Sequence, residues 1–233
     1  MTPEVMRLAL AARRAGPALV VATRLGDGVQ GVFPSVLPGG DLPERVALAA
    51  EAALRRGVTG TVAVAGEEWF LHVQQPPPRL VVVGAVHITQ ALAPMAGLLG
   101  IAVTVIDPRP AFNSEARMGQ VARVLDWPDA ALAVAPLGAD SALVVLAHDP
   151  KLDDPALDHA LRSDAFYIGA LGSRKSHANR LGRLAGLGHS EAALARVRGP
   201  VGLAIGAVSA PEIALSILGE LVAVRRGGAL ARR

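Results

Sequence analysis

A glycine-rich segment with two adjacent cations stands in the last third of the chain. After an apolar run the residues are Gly169-Ala-Leu-Gly172-Ser173-Arg174-Lys175, and a helical pattern follows. Free backbone amides at the start of a helix, together with two cations, suit a phosphate group. A serine that only capped the helix would call for neither the glycines nor the cations. We therefore predict a phosphate cradle made by Gly169, Gly172, Ser173, Arg174 and Lys175.

Two further polar loops follow apolar runs. In the segment 107–110, two prolines hold Asp107 and Arg109 in a stiff turn. Arg109 could anchor an anionic group, and an ordinary surface loop is an equal alternative. In the segment 148–155, the residues nearest the preceding strand are candidate ligand contacts: His148, Asp149 and Lys151. Asp154, followed by a proline, predicts a helix N-cap instead. No pair of histidines has a helical ligand spacing, so we expect no metal site.

The segment that begins at Gly84 is similar to the entrance of a dinucleotide-binding unit with two glycines replaced. In the intact fingerprint, three glycines make the turn, admit the pyrophosphate and let the helix pack on the strand. Here Gly84 stands at the first position, whereas Val86 and Thr89 fill the other two. Valine would project toward the phosphates, although Asp107 stands where a ribose-binding acid belongs. We predict a βαβ unit whose ligand, near Gly84, His87 and Asp107, is not an ordinary dinucleotide; a purely structural unit is the alternative.

These loops need a sheet that brings them together. Apolar strand candidates at 80–83, 102–106, 141–147 and 165–168 alternate with helical patterns. Such alternation indicates an α/β domain with a parallel sheet wrapped by helices, and ligands bind at the carboxyl ends of such strands. The helix after Gly84 should bend at Pro94 and bury one face: Ile88, Leu92, Met95 and Leu99.

The C-terminal part combines a glycine-rich loop with a capped helix. Glycines between residues 199 and 206 suggest that Gly206 lies close to a ligand or to a neighbouring strand. Ser209 and Glu212 have the spacing of a capping box. The helix that they begin should bury three residues at core-facing spacing: Leu215, Leu218 and Val222.

A run of prolines, residues 76–78, divides the sequence because consecutive prolines favour an extended connector. We predict a small N-terminal α/β module over residues 1–75, a linker over 76–79 and a Rossmann-like domain over 80–233. The module should hold strands at 19–23, 60–65 and 69–73 and a helix at 43–56. Its Gly39-Gly40-Asp41 turn could present a ligand contact or simply begin the helix.

Composition excludes several functional classes. Cysteine is absent, so disulfides, thiolate metal sites and a cysteine nucleophile are excluded. The net charge is only +3 and aromatics are 3% of the chain, without a basic stripe, which argues against nucleic-acid binding. The first ten residues include Glu4 and Arg7, so we expect no secretory signal, and the absence of cysteine is compatible with the cytoplasmic location that we expect. The uncharged run 80–106 is long enough to cross a bilayer, but its strand-helix-strand pattern favours a buried α/β unit.

Five motifs, taken together and in order, resemble the XdhC/CoxI family of maturation factors for xanthine dehydrogenase and carbon monoxide dehydrogenase. They lie at residues 84–88, 105–109, 148–153, 167–174 and 211–214. The resemblance covers the whole predicted second domain. It implies a chaperone, more than an enzyme, that binds the molybdenum cofactor (molybdopterin), protects it during sulfuration and passes it to an apo-molybdoenzyme of the xanthine dehydrogenase class. A cysteine desulfurase is a further partner that it allows, and a homodimer is the default expectation.

The sequence departs from the family at three positions. The family usually has glycine where Val86 stands, cysteine where Asp41 stands and an acid where Ala204 stands. Two alternatives stay open, the first because of the βαβ unit and Asp107 and the second because of these departures. One is an NAD(P)-dependent oxidoreductase, for which Tyr167, the single tyrosine, is no persuasive proton donor. The other is a docking scaffold that has lost cofactor binding.

Overall fold

A computed structural model describes residues 3, 5–7, 10, 18–34 and 42–228. The chain divides into two compact units between Pro76 and Pro77, and Arg225–Gly227 group with the first. The predicted Gly39–Asp41 turn lies outside the described residues.

The first unit contains an antiparallel sheet and a helix that covers it. Strands β1 (Leu19–Arg24), β2 (Gln30–Phe33), β3 (Gly60–Val64) and β4 (Glu67–Gln74) are ordered β2-β1-β4-β3, and the helix is α1 (Glu44–Arg56). The hairpin between β3 and β4 turns at Ala65 and Gly66, both with positive φ, as a tight two-residue turn requires. Trp69 is buried with the apolar face of α1, formed by Val46, Ala50 and Ala53. The predicted strands and helix of this unit are confirmed, and β2 was not predicted.

The second unit is a parallel sheet of six strands. These are β5 (Arg79–Val83), β6 (Ala102–Ile106), β7 (Ala122–Val124), β8 (Ser141–Val145), β9 (Tyr167–Ala170) and β10 (Val197–Arg198). Their order, β10-β9-β8-β5-β6-β7, is that of a doubly wound dinucleotide-binding sheet. The predicted fold class, a small α/β module followed by a Rossmann-like domain, is confirmed.

Helices cover both faces of this sheet. They are α2 (His87–Leu98), α3 (Glu115–Met118), α4 (Pro128–Val134), α5 (Pro150–Leu161), α6 (Arg174–Gly186), α7 (Glu191–Leu194) and α8 (Ala210–Arg226). Along β5, Val81 and Val83 join the core under α5 and α6, whereas Leu80 and Val82 join the core under α2 and α8. Because both faces are covered, the strand reads as one continuous apolar run. Residues 80–106 form β5, α2 and β6, and no helix in the described ranges has the length and apolar character to cross a membrane.

Some sequence predictions are wrong in detail. The helix predicted to begin after Asp154 begins at Pro150, so Pro155 lies inside α5. The strand predicted at 165–168 runs over Tyr167–Ala170, and the one at 141–147 ends at Val145. Three predicted core residues are exposed: Leu99, Leu215 and Val222. The capping box of α8 is confirmed, because Glu212 Oε2 accepts from the Ser209 amide at 2.8 Å.

Candidate functional site

The loops after β5 and β8 meet at the carboxyl edge of the sheet. From β5 the chain proceeds to β6 on one side, and from β8 it proceeds to β9 on the other, so a crevice opens where the direction reverses. Gly84 has φ +108°, and a Cβ there would lie 2.8 Å from the backbone nitrogen of Ala147. Only glycine fits such a close approach of two backbones. His87, the first residue of α2, is exposed beside this turn.

Asp107, directly after β6, is completely buried and fully hydrogen-bonded. Its Oδ2 accepts from the Ala85 amide at 2.8 Å and from Arg109 Nη2 at 2.7 Å. Its Oδ1 accepts from the amide and Nε of Arg109 at 3.0 and 2.8 Å. Burial raises the pKa of Asp107, but the bonds from Arg109 and the Ala85 amide outweigh it and bring the pKa below its ordinary value. A carboxylate has about four acceptor sites, so none is left over for a ribose hydroxyl.

Arg109 is held between this carboxylate and an aromatic ring. Its Cζ lies 4.3 Å from the centroid of Phe112, and Arg117 Cζ lies 5.2 Å from the same ring. Asp107 chiefly, and Asp149 from the loop after β8, raise the pKa of Arg109 above its ordinary value. The loops after β6 and β8 therefore adjoin. The sequence analysis did not identify Phe112 or Arg117. The position of Phe112, an aromatic residue three positions after Arg109 in a stiff turn, could have indicated the contact between the two side chains.

The loop after β8 holds a strained residue. His148 is exposed and has φ +57°, a left-handed conformation that few residues other than glycine adopt. Such strain is frequent at ligand sites. Asp149 is the N-cap of α5, since its Oδ1 accepts from the amide of Lys151 at 3.0 Å. His148 Cε1 would lie 3.7 Å from a Cβ at Gly172, which places the loops after β8 and β9 side by side.

The start of α6 has the features of an anion site. Ser173 and Ser176 form a reciprocal capping box, with the Ser173 amide donating to Ser176 Oγ at 2.8 Å and the Ser176 amide to Ser173 Oγ at 3.2 Å. The amides of Arg174 and Lys175 have no acceptor in the described part of the chain. Their side chains are exposed, and neither has an ion-pair partner among the described residues. The first turn of α6 therefore carries two available amides and two uncompensated cations.

A buried ion pair lies beneath this turn. Arg180 on α6 and Asp153 on α5 are 3% and 2% exposed, and Arg180 Nη2 lies 3.3 Å from Asp153 Oδ2. The same Nη2 donates to the carbonyl of Leu171 at 2.9 Å. Burial, more than the opposing effect of Arg180, sets the pKa of Asp153 and raises it to about 6. Arg180 thus ties the loop after β9 to α5, a role that the sequence did not reveal.

Two of the predicted glycines lie away from these loops. Gly169 is inside β9, where a Cβ would lie 2.6 Å from Val201 Cγ2, so it permits strand packing. Gly206 is exposed with φ +75°, and no described protein atom would touch a Cβ there. Its backbone conformation, and not approach to a neighbouring strand, accounts for the glycine.

Residues 80–221 match the family model of the XdhC Rossmann domain. The molybdenum cofactor insertion chaperone PaoD of Escherichia coli (strain K12) is 32% identical over 151 residues, which are 65% of this chain and 41% of that protein. A probable xanthine dehydrogenase subunit of Bacillus subtilis (strain 168) is 31% identical over 158 residues, 67% of this chain and 46% of that protein. The chain thus spans less than half the length of these relatives. A crystal structure of a xanthine dehydrogenase from Bacillus halodurans shares the fold, with a TM-score of 0.67 at 22% identity over 96% of this chain and 64% of that one.

Proposed function

The chain belongs to the XdhC family, and we propose that it binds the molybdenum cofactor, protects it and inserts it into an apo-molybdoenzyme of the xanthine dehydrogenase class. The observation that carries the proposal is the start of α6, at the edge where such sheets bind ligands: two amides and two cations there have no partner among the residues that the structure describes. The similarity to a relative named as a molybdenum cofactor insertion chaperone supports the same role.

Different residues of the crevice would bind different parts of the cargo. Molybdopterin carries a phosphate, which Arg174 and Lys175 would bind through their amides and side chains. His148, on the neighbouring loop, and Lys151, in the first turn of α5, would contact the polar part of the cargo next to the phosphate. Gly84 lets the loops after β5 and β8 come close together, and Gly172, with φ +145°, leaves room for the capping side chain of Ser176. A cysteine desulfurase partner, a homodimer and a cytoplasmic location stay predictions.

The features of the loop after β5 argue against the NAD(P) alternative. Val86 is the N-cap of α2 with φ −103°, so a branched side chain stands where a pyrophosphate would meet the helix. Asp107 has no acceptor site left for a ribose. The first turn of α2 also lacks the pair of cations that α6 has.

Pterin content provides the direct test. Protein purified from a host that makes molybdenum cofactor should yield fluorescent pterin oxidation products in stoichiometric amount. Arg174→Gln should weaken cofactor binding by about tenfold, because a charge-assisted bond to phosphate contributes about 1.5–3 kcal/mol. Arg183→Gln, in the last turn of the same helix, is the control and should bind normally. Absence of pterin, with failure of the purified protein to take up added cofactor, would refute the proposal.

A further inference from the structure

The loop after β6 presents an aromatic–guanidinium stack that the phosphate site does not explain. Phe112 is 39% exposed, and the side chain of Arg109, which lies against its ring, is 38% exposed. A ring and a planar guanidinium together form a surface on which a flat heterocycle can stack.

This stack is held rigidly. The amides of Phe112 and Asn113 both donate to the carbonyl of Arg109 at 3.0 Å. Asn113 is buried, and its Nδ2 donates to the carbonyls of Asp107 at 3.2 Å and Val124 at 3.0 Å. The guanidinium of Arg109 is fixed by two bonds to the carboxylate of Asp107. A surface whose geometry is set in advance costs little entropy to occupy.

The charge of Arg109 is compensated, unlike the cations of α6. Its positive charge is paired with buried Asp107, and Asp149 adds further negative potential. A phosphate would therefore gain little there, contrary to the expectation that Arg109 anchors an anion. Its Nη1 has no protein acceptor in the part of the chain that the structure describes. The Asp107–Arg109 pair thus offers a flat face and an unused donor without net charge, which suits a neutral, planar group that carries oxygen or nitrogen acceptors. Arg117, whose Cζ lies 5.2 Å from the centroid of Phe112, adds one positive charge beside this face.

The sheet fixes how far this surface lies from the phosphate site. Strands β6 and β9 are three positions apart in the order β6-β5-β8-β9, which corresponds to about 14 Å at ~4.8 Å per strand. Resting on the proposed function, we propose that the cargo lies across the crevice with its pterin ring stacked on Phe112 and Arg109 and its phosphate at the start of α6. The loop after β6 is then the subsite that recognises the ring.

Separate probes for the two ends test this orientation. The full-length protein is titrated with molybdenum cofactor, with pterin that lacks phosphate, with adenosine and with inorganic phosphate as a competitor. Phe112→Leu keeps an apolar side chain but removes the ring, and should weaken pterin and cofactor by about five- to tenfold, the lower part of the range for base stacking on aromatics. Phe112→Tyr keeps the ring and should restore binding. Competition by phosphate should be unchanged in both variants and weakened in Arg174→Gln.

The outcomes separate this inference from the proposed function. Cofactor binding that is lost in Arg174→Gln but unaffected by Phe112→Leu would support the carrier role and overturn the stacking subsite. Binding of pterin that depends on Phe112, in a protein that binds no cofactor, would support the subsite and overturn the carrier role. Adenosine binding in preference to pterin would overturn the assignment of the ring. A wild-type protein that binds neither ring would overturn the inference altogether.

Discussion

Replacement of Asp153 by asparagine should stabilise the protein at neutral pH, although Asp153 is half of an ion pair. Two charges that are 2% and 3% exposed lose most of their hydration. They meet through one contact of 3.3 Å, and Asp153 Oδ1 and Arg180 Nε and Nη1 have no hydrogen-bond partner in the described part of the chain. Asp149 and Asp154, on the same helix end, further disfavour the charged carboxylate. Desolvation therefore outweighs the attraction of Arg180.

The magnitude follows from the pKa of Asp153. Its folded-state pKa of about 6 lies above the ordinary 3.8, so the folded protein binds this proton more tightly than the unfolded chain does. The stabilising contribution of this group is complete below pH 3.8 and is lost as the pH rises through 6. A difference of about 2 pKa units corresponds to about 3 kcal/mol. Asparagine imitates the protonated acid, so Asp153→Asn should add about 1–3 kcal/mol at pH 7.5 and almost nothing at pH 4.

Urea denaturation of the wild type and Asp153→Asn between pH 4 and 8 measures the difference in their free energies of unfolding. Groups that titrate alike in both proteins do not contribute to this difference. Ellipticity at 222 nm follows mainly the second unit, which contains α2 to α7 and nearly all of α8. Arg180→Met is the complementary variant. It removes the attraction that lowers the pKa of Asp153 and the bond to Leu171, and should cost about 3–5 kcal/mol at neutral pH. An Asp153→Asn protein that loses more than about 1 kcal/mol at pH 7.5, with no dependence on pH, would refute the reasoning.

Two further substitutions test the loop after β5. Gly84→Ala should cost at least about 2 kcal/mol in thermal or urea unfolding, because φ is +108° and the new Cβ would lie 2.8 Å from the Ala147 nitrogen. Gly97→Ala, at a helical site with nothing within 4 Å, is the control and should stabilise by about 0.5–1 kcal/mol; equal effects at both sites would contradict the close approach. Val86→Gly restores a fingerprint glycine but should leave NAD(P) binding undetectable by calorimetry, because Asp107 still has no acceptor site for a ribose. Appearance of NAD(P) binding would show that the valine alone excluded it.

Hydrophobic pattern was sufficient to predict the strands that are buried on both faces. Strands β5 and β6 were predicted because their runs of β-branched residues are bounded by glycine or proline. Strands β7 and β10 have three and two residues, too few to show a period. The first turn of α5 illustrates a different limit. Asp149-Pro150 and Asp154-Pro155 are equally good helix starts locally, and burial of Leu152 between them decides for the first.

The site could be predicted as a set of loops but not as a set of roles. Residue types placed Asp107, Arg109 and the segment 172–175 at strand ends, where the structure has them. They could not reveal that Asp107 uses all four acceptor sites on its own chain, or that Arg109 is neutralised by it, because both depend on side-chain directions in the fold. Nor did the sequence indicate that Arg180 supports the loop after β9, since a charged residue in a helix is usually solvated.

The strand order and the polar groups together explain how a dinucleotide fold can accommodate another cargo. In the ordinary unit, the phosphate meets the helix after the first strand, and the acid after the second strand binds a ribose. Here the first helix, α2, has Val86 as its N-cap, and the acid Asp107 positions Arg109 instead. In this chain the available amides and cations lie on the other side of the switch point, at the start of α6 after β9. A ligand held there by its phosphate must extend toward β6 from the opposite direction, so its ring system meets Arg109 as a stacking surface and not as an ionic anchor.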